Sequence, residues 1–453
     1  MRAAGDTIVA VATPAGTGAI GVVRLSGPRA VEITSGVVRL TAFDGLRSTA
    51  PRRVYKAAVV DPGSGALLDE ALVVRMEGPR SYSGEDVVEL SCHGNPVLLC
   101  QIVRFLLDGG ARLAEPGEFT RRAFLSGRLD LLQVEAVAQL IGARTDRAVR
   151  LAASQLRGGL SSRIQALYEG ALDLVAELEV ALDFPDDEFG LSLADAGKRA
   201  MELSAKLDAL ARSARQNHAI QDGLAVMLTG APNVGKSSLL NALLGTERAI
   251  VAATPGTTRD VIDGVLVVSG VPVRLADGAG LGGPQDPIDA EGMRRARKVL
   301  SECDLALVVL DRSRVVSDAD REVLSATAGM DRLVVANKAD LPSIASGVDF
   351  DCVCSALTCE GVDLLHRRLG QWVESRISSD GDEAGVMASL RVIDRLESAA
   401  FGLRRAAEVI PSAPLEVGLV DLRATIHDLE EVLGIDGTEA VLDRIFSTFC
   451  VGK

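Results

Sequence analysis

The string Gly-Ala-Pro-Asn-Val-Gly-Lys-Ser at residues 230–237 constrains the fold of this chain more than any other feature. It fits the P-loop pattern, in which backbone N–H groups of a glycine-rich turn surround phosphates, a lysine reaches the outer phosphates and a hydroxyl binds Mg²⁺. The apolar run at 224–229 predicts a buried strand before it, and residues 237–244 predict a helix that ends at Gly245. Such a helix directs the positive end of its dipole towards phosphates. The segment therefore predicts a nucleotide site on a strand–loop–helix unit.

A second motif, Asn337-Lys-Ala-Asp340, follows another apolar run and indicates which base is bound. The Asp340 carboxylate can accept hydrogen bonds from the N1–H and the amino group of guanine. Adenine offers no such donor pair and would leave the carboxylate unpaired, so a site of this kind rejects it strongly. The two motifs together predict a GTP-binding domain.

The other elements of a GTPase follow in the expected order. A threonine hydroxyl at Thr257 or Thr258 could complete the Mg²⁺ coordination begun by Ser237, and we assign Ser237 and Thr258 as Mg²⁺ ligands. Asp277 ends a strand-like run and could hold Mg²⁺ through water, and the Gly280 amide could meet the γ-phosphate. The predicted GTP-binding residues are Asn233, Val234, Gly235, Lys236, Ser237, Ser238, Thr257, Thr258, Asp277, Gly280, Asn337, Lys338, Asp340, Ser355, Ala356 and Leu357.

Composition limits the class of protein. A chain of 453 residues should contain about three domains. It has no apolar run long enough for a membrane span and no leader-like N-terminus, so we expect a cytoplasmic protein without membrane contact. Seven cysteines without a paired C-x-x-C spacing predict reduced thiols. A net charge of −14 argues against long-range attraction to nucleic acid, so any contact with RNA should be local or delegated to a partner.

Hydrophobic periodicity divides the chain around the GTPase motifs. Residues 1–118 carry alternating and β-branched runs with glycine and proline turns, which predicts an α+β domain. Residues 119–219 and 379–453 show the i, i+3, i+4 apolar spacing of packed helices. We therefore predict a multidomain fold: an α+β N-terminal domain, an all-α helical domain, and an α/β Ras-like P-loop GTPase domain inserted at 220–378. Insertion is tolerated where the entry and exit points lie close together.

The whole sequence resembles one family, the MnmE (also called TrmE) tRNA-modification GTPases. The segments that carry the resemblance are Asp6-Thr-Ile-Val-Ala10, Thr13-Pro14, Arg24-Leu-Ser-Gly27, Ser83-Gly-Glu-Asp-Val-Val-Glu-Leu90, His93-Gly94, Pro116-Gly-Glu-Phe119, Arg122-Ala-Phe-Leu125, Leu129-Asp-Leu131 and Cys450-Val-Gly-Lys453. The resemblance implies a folate-binding N-terminal domain that also forms a homodimer. It further implies that, with the flavin enzyme MnmG in a heterotetramer or larger complex, the protein adds an aminomethyl-type group (carboxymethylaminomethyl) to carbon 5 of the wobble uridine of tRNAs. The tRNA would be bound mostly by that partner.

The family's folate contacts fall on Arg24, Glu89 and Arg128, with Lys453 close by. A guanidinium can pair with the glutamate tail of 5-formyl- or methylene-tetrahydrofolate, and a carboxylate can accept hydrogen bonds from the pterin N–H groups. The resemblance thus implies a one-carbon folate as cofactor, with glycine and ammonium as alternative second donors.

The resemblance also implies K⁺-dependent hydrolysis. Small GTPases mostly use a glutamine after the Asp-x-x-Gly motif together with an arginine finger, and Leu281 occupies the glutamine position here. The family instead places K⁺ where the finger would act, to neutralise charge developing between the phosphates. The implied K⁺ ligands are the Asn233 side chain and carbonyls of the loop around Ala252, Thr254 and Thr257.

The acid that orients the attacking water can be assigned to either of two residues. An ungapped count from Asp277 places Asp289 at the position of the family's catalytic glutamate. Because aspartate is one methylene shorter, Glu291 is the alternative if the loop is shifted. We prefer Asp289, since the ungapped count is simpler and a positioned carboxylate must come within hydrogen-bond reach. Both acids could instead be solvated loop charges.

Two other functions remain as alternatives. An Era-like ribosome-assembly GTPase, a switch without modification chemistry, would require a basic RNA-binding domain that the acidic composition does not favour. A folate enzyme with a vestigial GTPase domain is disfavoured by the intact Lys236, Ser237, Asp277 and Asp340.

Overall fold

The computed structural model of the protein describes residues 5–41, 43–183, 192–245, 264–278, 303–376, 385–435, 439–447, 449 and 451–453. The chain forms two compact units. The first contains Met1–Ala138, Gln155–Ser204 and Ser398–Lys453, and the second contains Gln139–Ser154 and Ala205–Glu397. The predicted domain limits at 118, 219 and 378 stay a prediction.

A seven-stranded sheet opens the first unit. Its strands are β1 (Ile8–Val11), β2 (Ile20–Ser26), β3 (Val38–Leu40), β4 (Val54–Val60), β5 (Leu67–Met76), β6 (Val87–His93) and β7 (Arg112–Leu113), in the order β3-β4-β5-β6-β2-β1-β7. Only the β1–β7 pair is parallel. Helices α1 (Ala30–Val37) and α2 (Pro96–Asp108) share a core with one face of this sheet. The predicted α+β character of this region is confirmed.

Helices follow the sheet, as their periodicity predicted. They are α3 (Glu118–Leu125), α4 (Leu131–Gly142), α5 (Asp146–Leu156), α6 (Gly159–Asp183) and α7 (Leu193–Asp222). Along α6 the buried positions include Leu160, Ile164, Leu167 and Ala171, which is the i, i+3, i+4 spacing of a helix with one apolar face. This face explains why the segment forms a long helix.

The second unit holds a six-stranded sheet in the order β13-β12-β11-β8-β10-β9. The strands are β8 (Leu224–Thr229), β9 (Gly264–Val268), β10 (Val271–Asp277), β11 (Leu305–Asp311), β12 (Arg332–Asn337) and β13 (Cys352–Val353), accompanied by helices α8 (Lys236–Leu244), α9 (Asp318–Ala326) and α10 (Val362–Arg376). All neighbouring strands are parallel except β9 and β10. All seven residues of β11 are buried, as expected for a central parallel strand.

Three helices complete the described chain: α11 (Leu390–Val409), α12 (Leu415–Leu433) and α13 (Glu439–Phe446). Within the first unit, the Tyr168 hydroxyl of α6 donates to Glu430 of α12 at 3.0 Å. Phe446 and Phe449 pack with Leu131 and Val134 of α4. No helix in the described ranges combines the length and apolar character needed to cross a membrane.

Candidate functional site

The P-loop joins the carboxyl end of β8 to the start of α8. Gly235 has φ +96°, and a Cβ at this position would collide with the side-chain amide of Asn337, so glycine is required for both conformation and space. Asn233 adopts φ +65°, a value that asparagine tolerates better than most residues. The helix begins immediately afterwards at Lys236, so its first N–H groups have no partner within the helix and are available to an anion.

Lys236, Ser237 and Asp277 lie together at the mouth of this loop. The Lys236 Nζ donates to the carbonyls of Gly230 at 3.1 Å and Ala231 at 3.2 Å. Burial lowers the pKa of Lys236, and the nearby Asp277 carboxylate acts in the opposite direction. Ser237 Oγ donates to Asp277 Oδ2 at 2.5 Å. The loop thus presents a desolvated cation beside two oxygen ligands, which suits a phosphate with a divalent ion.

The guanine-recognition loop is tied to the P-loop by one buried side chain. Asn337 Nδ2 donates to the Val234 carbonyl at 2.8 Å, and Asn337 Oδ1 accepts from the Ala356 N–H at 3.0 Å. A single amide therefore links the phosphate-binding loop, the Asn-Lys-Ala-Asp loop and the loop that begins at Ser355. The predicted role of Asn337 as a nucleotide residue stays a prediction, and its contacts within the protein fix the loops around the site.

Asp340 is exposed, and one of its oxygens accepts from the buried Ser355 hydroxyl at 2.5 Å. This bond orients the carboxylate that the sequence assigns to the base. The Ala356 N–H is occupied by Asn337, whereas Leu357 is 83% exposed at the tip of the loop. The roles of Ala356 and Leu357 at the base stay predictions.

Several predicted residues lie outside the described residues. They are the assigned K⁺ carbonyls, the switch threonines, the γ-phosphate amide and both candidates for the water-orienting acid: Ala252, Thr254, Thr257, Thr258, Gly280, Asp289 and Glu291.

A second polar cluster lies on the N-terminal sheet. Arg24 of β2 stands directly opposite Glu89 of β6, and the Arg24 Nε donates to Glu89 Oε1 at 2.7 Å. Both side chains are mostly buried. The Arg24 guanidinium also lies 5.2 Å from the ring centre of Tyr82 and 5.7 Å from that of Phe119. The strand register brings together two residues that are far apart in sequence.

The chain's C-terminal residues reach this cluster. Arg24 Nη1 donates to the Gly452 carbonyl at 3.4 Å, and the Phe119 N–H donates to the Lys453 carbonyl at 3.2 Å. A Cβ on Gly452, whose φ is +99°, would collide with the Val11 carbonyl, so only glycine allows this approach. Burial lowers the pKa of the Lys453 ammonium, the nearby Arg24 lowers it further, and Glu89 opposes them.

The structure therefore brings Arg24, Glu89 and Lys453 together, and their assignment to a ligand stays a prediction. Arg128 is exposed on the turn after α3, and its side chain lies close to Gly84. The two aromatic neighbours of the Arg24 guanidinium, Tyr82 and the fully buried Phe119, were not predicted. The sequence offered one indication of each residue. Tyr82 directly precedes the family segment that begins at Ser83, and Phe119 is the last residue of the segment that begins at Pro116.

Comparison with known proteins identifies the family. The family model described as "GTP-binding protein TrmE N-terminus" matches residues 7–128, and the one described as "MnmE helical domain" matches residues 131–450. Among solved structures, Era from Aquifex aeolicus is 23% identical over 39% of this chain and 66% of that chain, with a TM-score of 0.26.

Curated relatives match across the full length. A "tRNA modification GTPase MnmE" of Syntrophobacter fumaroxidans is 40% identical and covers 100% of this chain and 99% of that relative. Proteins of the same name from Geobacillus thermodenitrificans and Koribacter versatilis are each 39% identical and cover 99% of this chain and 99% of their own lengths. With the P-loop and the guanine loop in place, this chain belongs to the MnmE family of tRNA modification GTPases.

Proposed function

We propose that this GTPase depends on K⁺ and, with a flavin-dependent MnmG partner, uses a one-carbon folate to add an aminomethyl-type group to carbon 5 of the wobble uridine of tRNAs. The main observation in support of GTP binding is the single Asn337 side-chain amide, which fixes the P-loop against the guanine-recognition loop. It supports one ligand that carries both phosphates and guanine.

Mg²⁺ fits the described oxygen ligands. Ser237 Oγ and Asp277 Oδ2 are already within 2.5 Å of each other, and a hydroxyl and a carboxylate are the hard donors that Mg²⁺ prefers. Ser237 would hold the ion directly with Thr258, and Asp277 through water. The ion would neutralise charge on the phosphates. Lys236 would add its own cation, with its pKa restored towards the usual value by the phosphate.

We also propose a K⁺ site at the P-loop, which rests on one described residue. The Asn233 side chain is exposed at the P-loop, and its amide oxygen is a suitable ligand. The carbonyls of Ala252, Thr254 and Thr257 would complete the site. A monovalent cation there would supply the positive charge that an arginine finger supplies in other GTPases.

The N-terminal cluster fits a folate. Arg24 and Lys453 provide cations that can pair with a glutamate tail, and Glu89 can accept hydrogen bonds from a pterin. The half-buried Tyr82 ring offers flat apolar surface beside these charges, whereas the Phe119 ring is fully buried and lies 5.7 Å from the Arg24 guanidinium. Arg128 would approach from the neighbouring turn. The folate would supply the one-carbon unit, and the protein residues would bind and orient it.

A homodimer through the N-terminal domain is supported by the open face of the seven-stranded sheet. The opposite face is covered by α1 and α2, whereas Ile20, Val54 and Leu72 are exposed on the open face, which also carries Arg24 and Glu89. Exposed apolar residues in a group mark interaction surfaces. Leu72→Glu should convert the dimer into a monomer in light scattering, whereas Val417→Glu, an exposed change on α12, should not.

The test of the whole function is mass analysis of wobble uridine. Cells that lack this protein should lose the modified nucleoside, and a plasmid copy should restore it. A copy with Arg24→Ala should fail to restore it, whereas Arg29→Ala, which changes an exposed arginine paired with Glu32, should restore it fully. Normal modification in cells without the protein would refute the proposal. Normal restoration by the Arg24→Ala copy would refute the folate site alone.

A further inference from the structure

A carboxylate that the GTPase motifs do not include lies beside the guanine-recognition loop. Asp311 is the last residue of β11 and is only 8% exposed. The adjacent strand β12 ends at Asn337, which is in register with Asp311. Lys338 therefore leaves the sheet next to this buried acid.

Both oxygens of Asp311 are held by specific donors. Lys338 Nζ donates to Oδ2 at 2.6 Å. Ser313 donates to Oδ1 twice, from its N–H at 2.9 Å and from its hydroxyl at 2.6 Å. Burial raises the pKa of Asp311, but the hydrogen bonds from Lys338 and Ser313 outweigh it, so the net pKa lies below the usual value. The carboxylate is ionised at neutral pH and forms a true ion pair with Lys338.

The backbone of Lys338 explains why such an anchor is needed. Lys338 has φ +65°, a left-handed conformation that costs free energy in a lysine and persists only where its surroundings impose it. The residue after Asp311 provides a second constraint, since the Arg312 N–H donates to the Asn337 carbonyl at 3.1 Å and the Arg312 carbonyl accepts from Ile344 at 2.9 Å. Hydrogen bonds from the end of β11 therefore fix the guanine-recognition loop on both sides.

We propose that Asp311 is a positioning residue for guanine nucleotides. It holds the Lys338 ammonium so that the aliphatic stem of this lysine lies against one face of the base whose edge Asp340 reads. A long charged side chain can cover an apolar surface with its stem while its charge is bound elsewhere. Ordering the stem before the nucleotide arrives removes an entropic cost of binding. The inference rests on the proposed GTP site.

The test measures the dissociation constants of fluorescent GDP and GTP analogues with the full-length chain. Asp311→Asn should weaken both by about 10-fold, because a neutral amide holds the Lys338 ammonium less firmly, so that its stem must be ordered on binding, and the base is common to both ligands. In steady-state hydrolysis the loss should fall on KM rather than on kcat. The matched control is Asp331→Asn, which breaks an ion pair with Arg376 elsewhere in the same unit and should leave affinity unchanged.

A double-mutant cycle separates positioning from independent effects. If Asp311 acts through Lys338, the double variant Asp311→Asn/Lys338→Met should have the same nucleotide affinity as whichever single variant binds less tightly. Additive losses, or wild-type affinity in Asp311→Asn, would overturn the inference. Asp340→Asn in the same assay tests the base site itself. Wild-type GDP binding by that variant would refute the proposed site rather than Asp311 alone.

The melting temperature of Asp311→Asn shows whether this variant folds. If it does not, a second variant can test the proposal. Ser313→Ala keeps the carboxylate but removes one hydroxyl that fixes it. This change should weaken GDP binding about threefold. Unchanged GDP affinity in a folded Ser313→Ala protein would then overturn the proposal.

Discussion

The two candidate sites are built in different ways. The nucleotide site uses loops that follow parallel strands, and its phosphate-binding part is a contiguous string, residues 230–237. The N-terminal cluster combines Arg24, Glu89 and Lys453, whose side chains meet only because of strand register and the return of the distant C-terminal residues. A contiguous loop carries its geometry in its own sequence, whereas a discontinuous site depends on the whole fold. The two sites should therefore respond differently to local changes.

The largest expected effect is on base recognition. Asp340→Asn places an amide donor opposite a base edge that also donates, so affinity for GTP should fall by roughly 1,000-fold. Xanthine nucleotides offer a carbonyl at that edge and should gain affinity. Competition between GTP and xanthosine triphosphate measures both changes. Unchanged GTP affinity would show that this contiguous motif does not read the base.

A smaller effect is expected for hydrolysis. Asp289→Ala should lower the rate by about 100-fold with little change in GTP affinity, because an oriented water acts mainly in the transition state. Asp289→Glu should retain or raise activity. Glu291→Ala is the control and should be nearly neutral. A severe loss at Glu291 with a silent Asp289 would show that the loop register differs from the ungapped count.

The discontinuous site should show a local loss of ligand binding only. Arg24→Ala and Arg128→Ala should each weaken formyl-tetrahydrofolate binding by roughly 1.5–3 kcal/mol without changing GTP affinity. Calorimetry measures both ligands on the same preparation, and Arg29→Ala serves as the exposed control. A fall in GTP affinity that accompanied the fall in folate affinity would show that the two sites do not respond independently. Wild-type folate affinity in both variants would contradict the assignment of Arg24 and Arg128 as folate ligands.

The smallest effect concerns acid stability of the N-terminal domain. Burial raises the pKa of Asp6 and of Glu118, but Arg112 and Arg122 outweigh it and both pKa values end below normal. A carboxylate whose pKa is lower in the folded state stabilises it above the unfolded pKa, near 4, and loses this contribution as pH falls through the folded value.

The variant Arg122→Gln tests this dependence. It removes one cause of the lowered pKa values, so its free energy of unfolding should be smaller than that of wild type at about pH 6 and should fall less towards pH 2. Urea unfolding at the two pH values measures the difference. Arg104→Gln on α2 is the exposed control. Identical pH dependence in Arg122→Gln and wild type would contradict the role of this network.

The contrast also explains how much the sequence could predict. Strands β8, β10, β11 and β12 were predictable because each contains a short apolar run, and helix α8 was predictable because it follows the P-loop and ends at Gly245. The P-loop contacts of Lys236 follow from the same local string.

Other features depend on tertiary structure. The pairing of Arg24 with Glu89 requires a register that no local pattern encodes. The anchoring of Lys338 by Asp311 requires knowledge that β11 and β12 are neighbours. The contacts of Arg24 with Tyr82 and Phe119 likewise depend on the packed fold. Family resemblance identified the first two residues as site residues, but the other contacts are seen only in the folded structure.

The contact between Arg24 and Gly452 has a consequence for biosynthesis. It joins residues 428 positions apart. At about 5–20 residues per second, the ribosome would add Gly452 roughly 20 to 90 s after Arg24. The sheet that carries Arg24 can form early, but the cluster can be completed only when residues 452 and 453 have emerged and returned to it. Ligand binding at this site would therefore mark molecules in which synthesis has reached residue 453.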